Sequence, residues 1–560
     1  MIRRSIKLIS VLAFTFIQNT NAQIFDPTVL NIDPYTAANP VAPKLEGLGN
    51  YGFDVTTNND QSRYFFNQGW RLVIGFNHSE AMRSFKEAVR LDPDNAMAYW
   101  GWALTMGPNL NLPMLTNNVG RTWHAMEKAI SLKDKVSDWE RDYIDTLASR
   151  YSSDHSVPRD VLDIAYVKAT EKLMNKYPED LNAAVLYAAA AMNTQVWDYW
   201  NDDGTPKGYT EKVIEVLETV LKKDPNHPAA HHYYIHVTET EKPKLSEHSA
   251  DVLAGLMPGS GHLIHMPSHI FIRVGRYQDA YDTNIIAVKV DEDYIAQTKA
   301  QGLYVVNYYP HNVHFLSWSA MFTGRSKLAI DAAYKAKGIL EEGVRKTTWG
   351  ASEFFRSQPF FVLVRFGKWK KLLEIPKPFV KAQFVTGMWH FGRGMAYVNL
   401  GEVEAAQKEL SELEGFVSKF ADGLPGYPTV GKKVPGDNLA IAAALLKGEI
   451  ETKIGNFEEA IYQFSTAVRL EDANTYYEPA AWNFPTRHYL GALLLEANKP
   501  REAEVVYWED LKKNPNNAYS LYGLYQSLIA QGKEKEAEIF LNRYEEEWKD
   551  ADVKLTRSRF

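Results

Sequence analysis

The chain has 560 residues, is 45% hydrophobic and 23% charged, and carries a formal charge of −7. That profile excludes a disordered chain, gives no reason to expect nucleic acid as a partner, and is too long for one simple core unless the fold is a repeat array. Cysteine is absent, which excludes disulfides, thiolate metal sites and covalent haem, so any metal must be held by histidine, carboxylate or backbone oxygen.

Residues 1–22 read as an export signal: "MIRRSIK" is basic, "LISVLAFTFI" apolar, and "QNTNA" polar with a small residue before Gln23. The apolar run is too short to span a bilayer comfortably, and no other segment is long and apolar enough to do so. The Arg3–Arg4 pair fits twin-arginine export less well than ordinary secretion. The expectation is a periplasmic or secreted protein without a transmembrane segment. Residues 23–61 follow as an extended leader.

From Ser62 a helical hairpin grammar begins. With Ser62 as position 1, Phe65 falls at 4, Gly69 at 8, Leu72 at 11, Ala81 at 20, Phe85 at 24, Ala88 at 27 and Pro93 at 32. These positions resemble the packing positions of the tetratricopeptide repeat family. A turn glycine followed five residues later by a small or apolar residue recurs at Gly275/Ala280, Gly324/Ala329, Gly367/Leu372, Gly401/Ala406, Gly455/Ala460 and Gly532/Ala537. Ala503 and Ala537 are 34 residues apart, one repeat. Two antiparallel helices need small residues where they cross, a turn between them, and a proline breaker before the next pair. "LDPDN", "KYPED", "KDPNHP" and "KNPNN" supply the breakers, and strand-like alternation is nowhere sustained.

The resemblance covers most of residues 62–545. "HHYYIH" and "PGSGHLIHMPSHIFIRVGRY" also resemble bacterial tetratricopeptide proteins of unassigned function. It implies an all-α, right-handed superhelix of helical hairpins with a concave groove, and a scaffold for a protein, peptide or other ligand. The expected organisation is 62–260 as N-terminal repeats with insertions at 107–121 and near 200, 261–422 as central repeats lining a histidine-rich groove, 423–438 as a Gly/Pro/Lys loop, and 439–560 as C-terminal repeats.

Three successive groove-facing helices then offer histidine in register. With Pro228 at position 1, His232 is at 5, His236 at 9 and Glu239 at 12. With Gly261 at position 1, His262, His265 and His269 fall at 2, 5 and 9, within about a 60° arc of one helix. With Pro310 at position 1, His311 is at 2, His314 at 5 and Trp318 at 9. Imidazole is the commonest metal ligand, and His232/His236 and His265/His269 have the i, i+4 spacing at which two rings share an ion. Seven candidate ligands follow: His232, His236, His262, His265, His269, His311 and His314. Glu239 is a candidate oxygen ligand or general base. Zinc, copper or iron all suit such a set.

The alternative is a metal-free groove that binds an acidic or aromatic ligand through imidazoles, Arg273 and Trp318. Tetratricopeptide grooves usually recognise peptides through lysine, arginine and asparagine, so histidines there are a departure. Asn77 before His78 reads equally as a helix cap. Asn109 and Asn111 sit in a loop that reaches the groove mouth or only makes turns. His231 and His248 read as packing or surface residues. No P-loop, Rossmann glycine pattern or serine elbow is present. Three functions stand: an exported scaffold with a histidine-held metal, in extracytoplasmic nutrient processing such as that of polysaccharide, a metal-dependent enzyme with its site in the groove, or a purely structural assembly module. A protein, peptide or small molecule is the expected partner, not nucleic acid.

Overall fold

The computed structural model describes residues 39–300, 302–343, 350–379, 382–420, 434–474 and 476–560. The signal at 1–22, the first part of the leader and residues 423–433 of the Gly/Pro/Lys loop lie outside the described residues. Within them the chain is helical, and no strand forms beyond the isolated bridges Asn109–Leu112 and Trp200–Pro206. No described helix is long and apolar enough to cross a membrane.

The described chain divides into two compact units. One holds residues 39–270 with 286–309, the other 271–285 with 310–560.

In the first unit, asparagines set the first three helix starts. Asn59 accepts from the Gln61 and Ser62 amides and opens the helix Asp60–Ile74. Asn77 accepts from the Glu80 amide and opens His78–Leu91, so its capping role holds. Asn95 accepts from the Ala98 amide and opens Ala96–Met106. Each satisfies an N–H that a helix start leaves unpaired.

The helices are held together by an aromatic clamp. Phe85 is fully buried between two glycines. A Cβ at Gly69 would lie 2.8 Å from its ring, and one at Gly101, on the next helix, 2.3 Å. Gly101→Ala is therefore expected to lower stability by about 1–3 kcal/mol through overpacking. A lowered urea midpoint with unchanged m value is the expected readout, and an unchanged midpoint rejects the clamp.

The second unit repeats the device. Phe464 lies where a Cβ at Gly448 would meet it at 2.4 Å, and Tyr507 packs between Gly491 and Gly523 at 2.5 and 2.2 Å from their virtual Cβ atoms. All six turn glycines singled out in the sequence have positive φ, from 60° at Gly367 to 91° at Gly401. At Gly401 the left-handed conformation lets its N–H close onto the carbonyls that end the helix Gln383–Leu400.

Local structure departs from the sequence reading in two loops and one helix. A 3-10 turn, Thr116–Asn118, and the helix Val119–Ser131 begin inside the expected loop 107–121, because the Thr122 hydroxyl donates to the Asn118 carbonyl at 2.7 Å and ties the first turn. Residues 434–438 of the Gly/Pro/Lys segment open the helix Val434–Lys453. The histidine-rich helix expected from Gly261 onward is broken at Met266 into Gly261–His265 and Pro267–Val274. Pro267 has no N–H to continue the ladder.

Candidate metal centre

The helix Pro228–Thr238 starts on a histidine. The Nδ1 of His227 accepts from the Ala230 amide at 3.2 Å, and Pro228 occupies the first turn. His231 is spent on packing: its two nitrogens meet Ser249 Oγ and the Pro225 carbonyl, each at 2.9 Å.

His232 and His236 lie one turn apart on the inner face. His232 Nδ1 donates to the Ile74 carbonyl at 2.8 Å, an acceptor left open where the helix Asp60–Ile74 ends. His236 Nδ1 donates to Glu239 Oε1 at 2.9 Å. Glu239, fully buried at the end of this helix, accepts on its other oxygen from His269 Nδ1 at 2.7 Å. Burial pushes the Glu239 carboxyl up, but His269 and His236 overcome it and hold the group well below the usual carboxylate range. It is therefore an acceptor only, and both imidazoles must turn an N–H toward it.

The consequence falls on the opposite ring nitrogens. His232 Nε2 and His236 Nε2 face each other at 3.1 Å. Burial lowers both pKa values, so both rings are neutral at pH 7. A neutral imidazole has one N–H, and in each ring that proton is on Nδ1. Two lone pairs thus point at one another. Two imidazoles on one tetrahedral ion with ~2.0–2.1 Å bonds place their nitrogens about 3.3 Å apart, close to what is seen.

His262 completes the group. It is 2% exposed, and among the described residues neither ring nitrogen has a hydrogen-bond partner. Its ring is edge-on to His232 with centroids 5.0 Å apart. The ligand atoms of His232, His236 and His262 all lie within 4.8 Å of one another, as do those of His236, Glu239 and His269. A buried imidazole with two unsatisfied nitrogens beside a lone-pair pair is what a cation site of nitrogen ligands requires.

A strained residue packs the cluster. Phe76, in the turn after Gly75, has φ +54°, a rare conformation for a bulky side chain. Its ring stacks on His236 (7° between planes, centroids 5.8 Å apart) and on His262 (5.4 Å), and tilts against His232 (4.4 Å). Nothing in the sequence marked Phe76 or the Ile74 carbonyl, whose roles arise from non-local packing. Tyr308 closes on His262 from another direction, edge-on at 5.0 Å. Asn111 donates to the Tyr308 hydroxyl at 3.2 Å, and Asn109 Nδ2 donates to His78 Nδ1 at 3.2 Å. These residues border a small cleft lined by Phe76, His78, Asn109, Asn118, Tyr304 and Tyr308.

His265 lies in the same unit, its Nε2 2.8 Å from His269 Nε2, whereas Arg273, His311, His314 and Trp318 belong to the second unit. His314 is 1% exposed, packed edge-on against Phe354 and Phe355, with Nε2 3.4 Å from Asn483 Nδ2. It enters no group of three imidazole or carboxylate ligands among the described residues. Trp318 is not on an open surface: it is 3% exposed and stacked on Phe322 at 3.9 Å. Aromatic neighbours thus cover both side chains. Arg273 is half-buried with its guanidinium over the Tyr476 ring at 5.4 Å. His311 is half-exposed and edge-on to Phe315.

The glycine–aromatic clamps sit at positions 8 and 24 of the register, in both units, and the turn glycines separate the paired helices. The helical hairpins are of the tetratricopeptide-repeat type. No family model and no curated protein matches it in sequence. Solved structures similar to this repeat protein include human IFIT1, as a dimer with m7Gppp-AAAA, at 13% identity over 88% of this chain and 90% of that one, TM-score 0.31. Yeast Tom70 is similar at 12% identity over 87% and 92%, TM-score 0.30. The TPR domain of P58(IPK) is similar at 14% identity over 68% and 92%, TM-score 0.18.

Proposed function

We propose that this repeat protein is an exported, metal-holding scaffold. In this reading one divalent transition-metal ion, of the zinc, copper or iron class, is bound by His232, His236 and His262, and a protein, peptide or small molecule is the partner. The observation that carries it is the opposed Nε2 pair of His232 and His236, each ring's proton being committed to the Ile74 carbonyl or to Glu239. Glu239 acts here as a positioning residue: it fixes the ligating tautomer of His236, as carboxylates behind metal-bound histidines do. The charge of −7 leaves nucleic acid outside the proposal. Export rests on residues 1–22, and a role in extracytoplasmic nutrient handling, such as that of polysaccharide, rests on export.

Elemental analysis of the mature protein, purified from metal-replete cells, tests the metal. A stoichiometric transition metal lost in His262→Ala is expected; its absence from the unmodified protein sinks the proposal. N-terminal sequencing tests export, with Gln23 expected as the first residue.

A metal-dependent enzyme is the second reading. It is favoured by the cleft beside Phe76 and Tyr308, two rings that also pack on His262. The ion would there supply Lewis acidity. Both Glu239 oxygens already accept from imidazoles, which favours positioning over proton abstraction.

A further inference from the structure

We infer that the same cluster holds a second transition-metal ion, between His265 and His269, so that Glu239 positions ligands for two adjacent ions. This rests on the metal reading above but on different ligand atoms. His269 Nδ1 donates to Glu239 Oε2 at 2.7 Å, which leaves its Nε2 as a lone pair. The Ser268 hydroxyl gives its proton to the His265 carbonyl at 2.6 Å. Its oxygen is then an acceptor, 3.3 Å from His265 Nδ1, and the His265 proton belongs on Nδ1. His265 Nε2 and His269 Nε2 consequently face each other as lone pairs at 2.8 Å. This is the arrangement of His232 and His236, built a second time at i, i+4 spacing.

The two pairs meet at one carboxylate. Glu239 Oε1 takes the His236 proton and Oε2 the His269 proton. The rings of His236 and His269 stand perpendicular with centroids 5.8 Å apart. One carboxylate thereby sets the tautomer of a ligand in each pair. All four imidazoles and Glu239 are within 1% of full burial, so water does not freely separate the facing nitrogens. A proton is the other cation that fits between two imidazoles. Burial of neutral imidazoles works against it, and a divalent ion does not need the ring to become charged.

Counting bound ions tests this. The full mature protein is stripped with chelator and titrated with Co(II), then dialysed against Zn(II) for elemental analysis. The unmodified protein is expected to take two ions, with a break in the Co(II) absorption titration at two equivalents. His265→Ala and His262→Ala are each expected to retain one ion and lose one. A break at one equivalent, with the ion kept in His265→Ala and lost in His262→Ala, overturns the second ion and leaves the first. A single ion lost only in His265→Ala overturns the first site's assignment and the two-ion count together. No bound ion in the unmodified protein overturns both readings in favour of shared protons. The unmodified protein's titration decides the count even if a variant fails to fold.

Discussion

Glu239→Ala is expected to destabilise the fold by about 2–5 kcal/mol and to weaken metal binding by about 10–100-fold. The first effect follows from burial. Glu239 accepts the Nδ1 protons of His236 and His269, and all three groups are closed off from water. Removing the carboxylate leaves two buried N–H donors without that acceptor. The second effect follows from tautomers. Without the carboxylate, either ring is free to carry its proton on Nε2, the nitrogen that must be bare to ligate. Glu239→Gln is the sharper probe. An amide offers one acceptor and one donor, so one imidazole must shift its proton to Nε2 and drop out of ligation while the other is kept. Urea unfolding in chelator measures the first effect, and zinc competition against a chromophoric chelator the second. Unchanged zinc affinity in Glu239→Ala rejects the positioning role.

Acid is expected to unfold the unit holding residues 39–270 and 286–309 before the other. In that unit burial pushes His227 down to about 4 and lowers His231, His232, His236 and His262. The unfolded chain takes up these protons near pH 6.5 and the folded chain does not. Stability is therefore fully present above 6.5 and is lost as pH falls from 6.5 toward the folded values, by up to about 1.4 kcal/mol per pH unit for each such histidine.

Among the described residues of the second unit the groups of that kind are fewer and include His314 at about 3 and the lowered His488. It also carries Glu353 and Glu471, which burial pushes up to about 7. For these the sign reverses: their stability is present below the unfolded carboxyl range and is lost as pH rises through 7. Between pH 7 and 5 they offset the histidines there. Among the described residues of the first unit, Glu80, which burial raises, opposes them. Hydrogen exchange in chelator at pH 7.0 and 5.0 reads the two units separately. Equal loss of protection in both, or earlier loss in the second, contradicts this account.

Much of the local architecture was legible in the sequence because its causes are local. Asn77 before His78 is a cap, Gly401 a left-handed helix end, and Gly69 with Phe85 a crossing point, each within one hairpin. The histidine register was legible for the same reason: helical spacing puts His232 and His236, and His265 and His269, on common faces. The break at Met266 shows the limit, since the register survives a proline that the regular pattern does not accommodate.

The sequence by itself determined the helical hairpins, their turns and the set of imidazoles on inner faces, because 3.6-residue periodicity and capping act over a few residues. Only the tertiary structure decided which nitrogen each ring presents. That choice depends on the Ile74 carbonyl for His232, 158 residues away in the chain, and on Glu239 for His269, 30 residues away. It depends also on Phe76, whose left-handed backbone sets its ring against three imidazoles. In the second unit, packing likewise covers His314 and Trp318 with phenylalanine. A ligand is defined by a bare lone pair and by what lies opposite it, and both are properties of contacts that no spacing encodes.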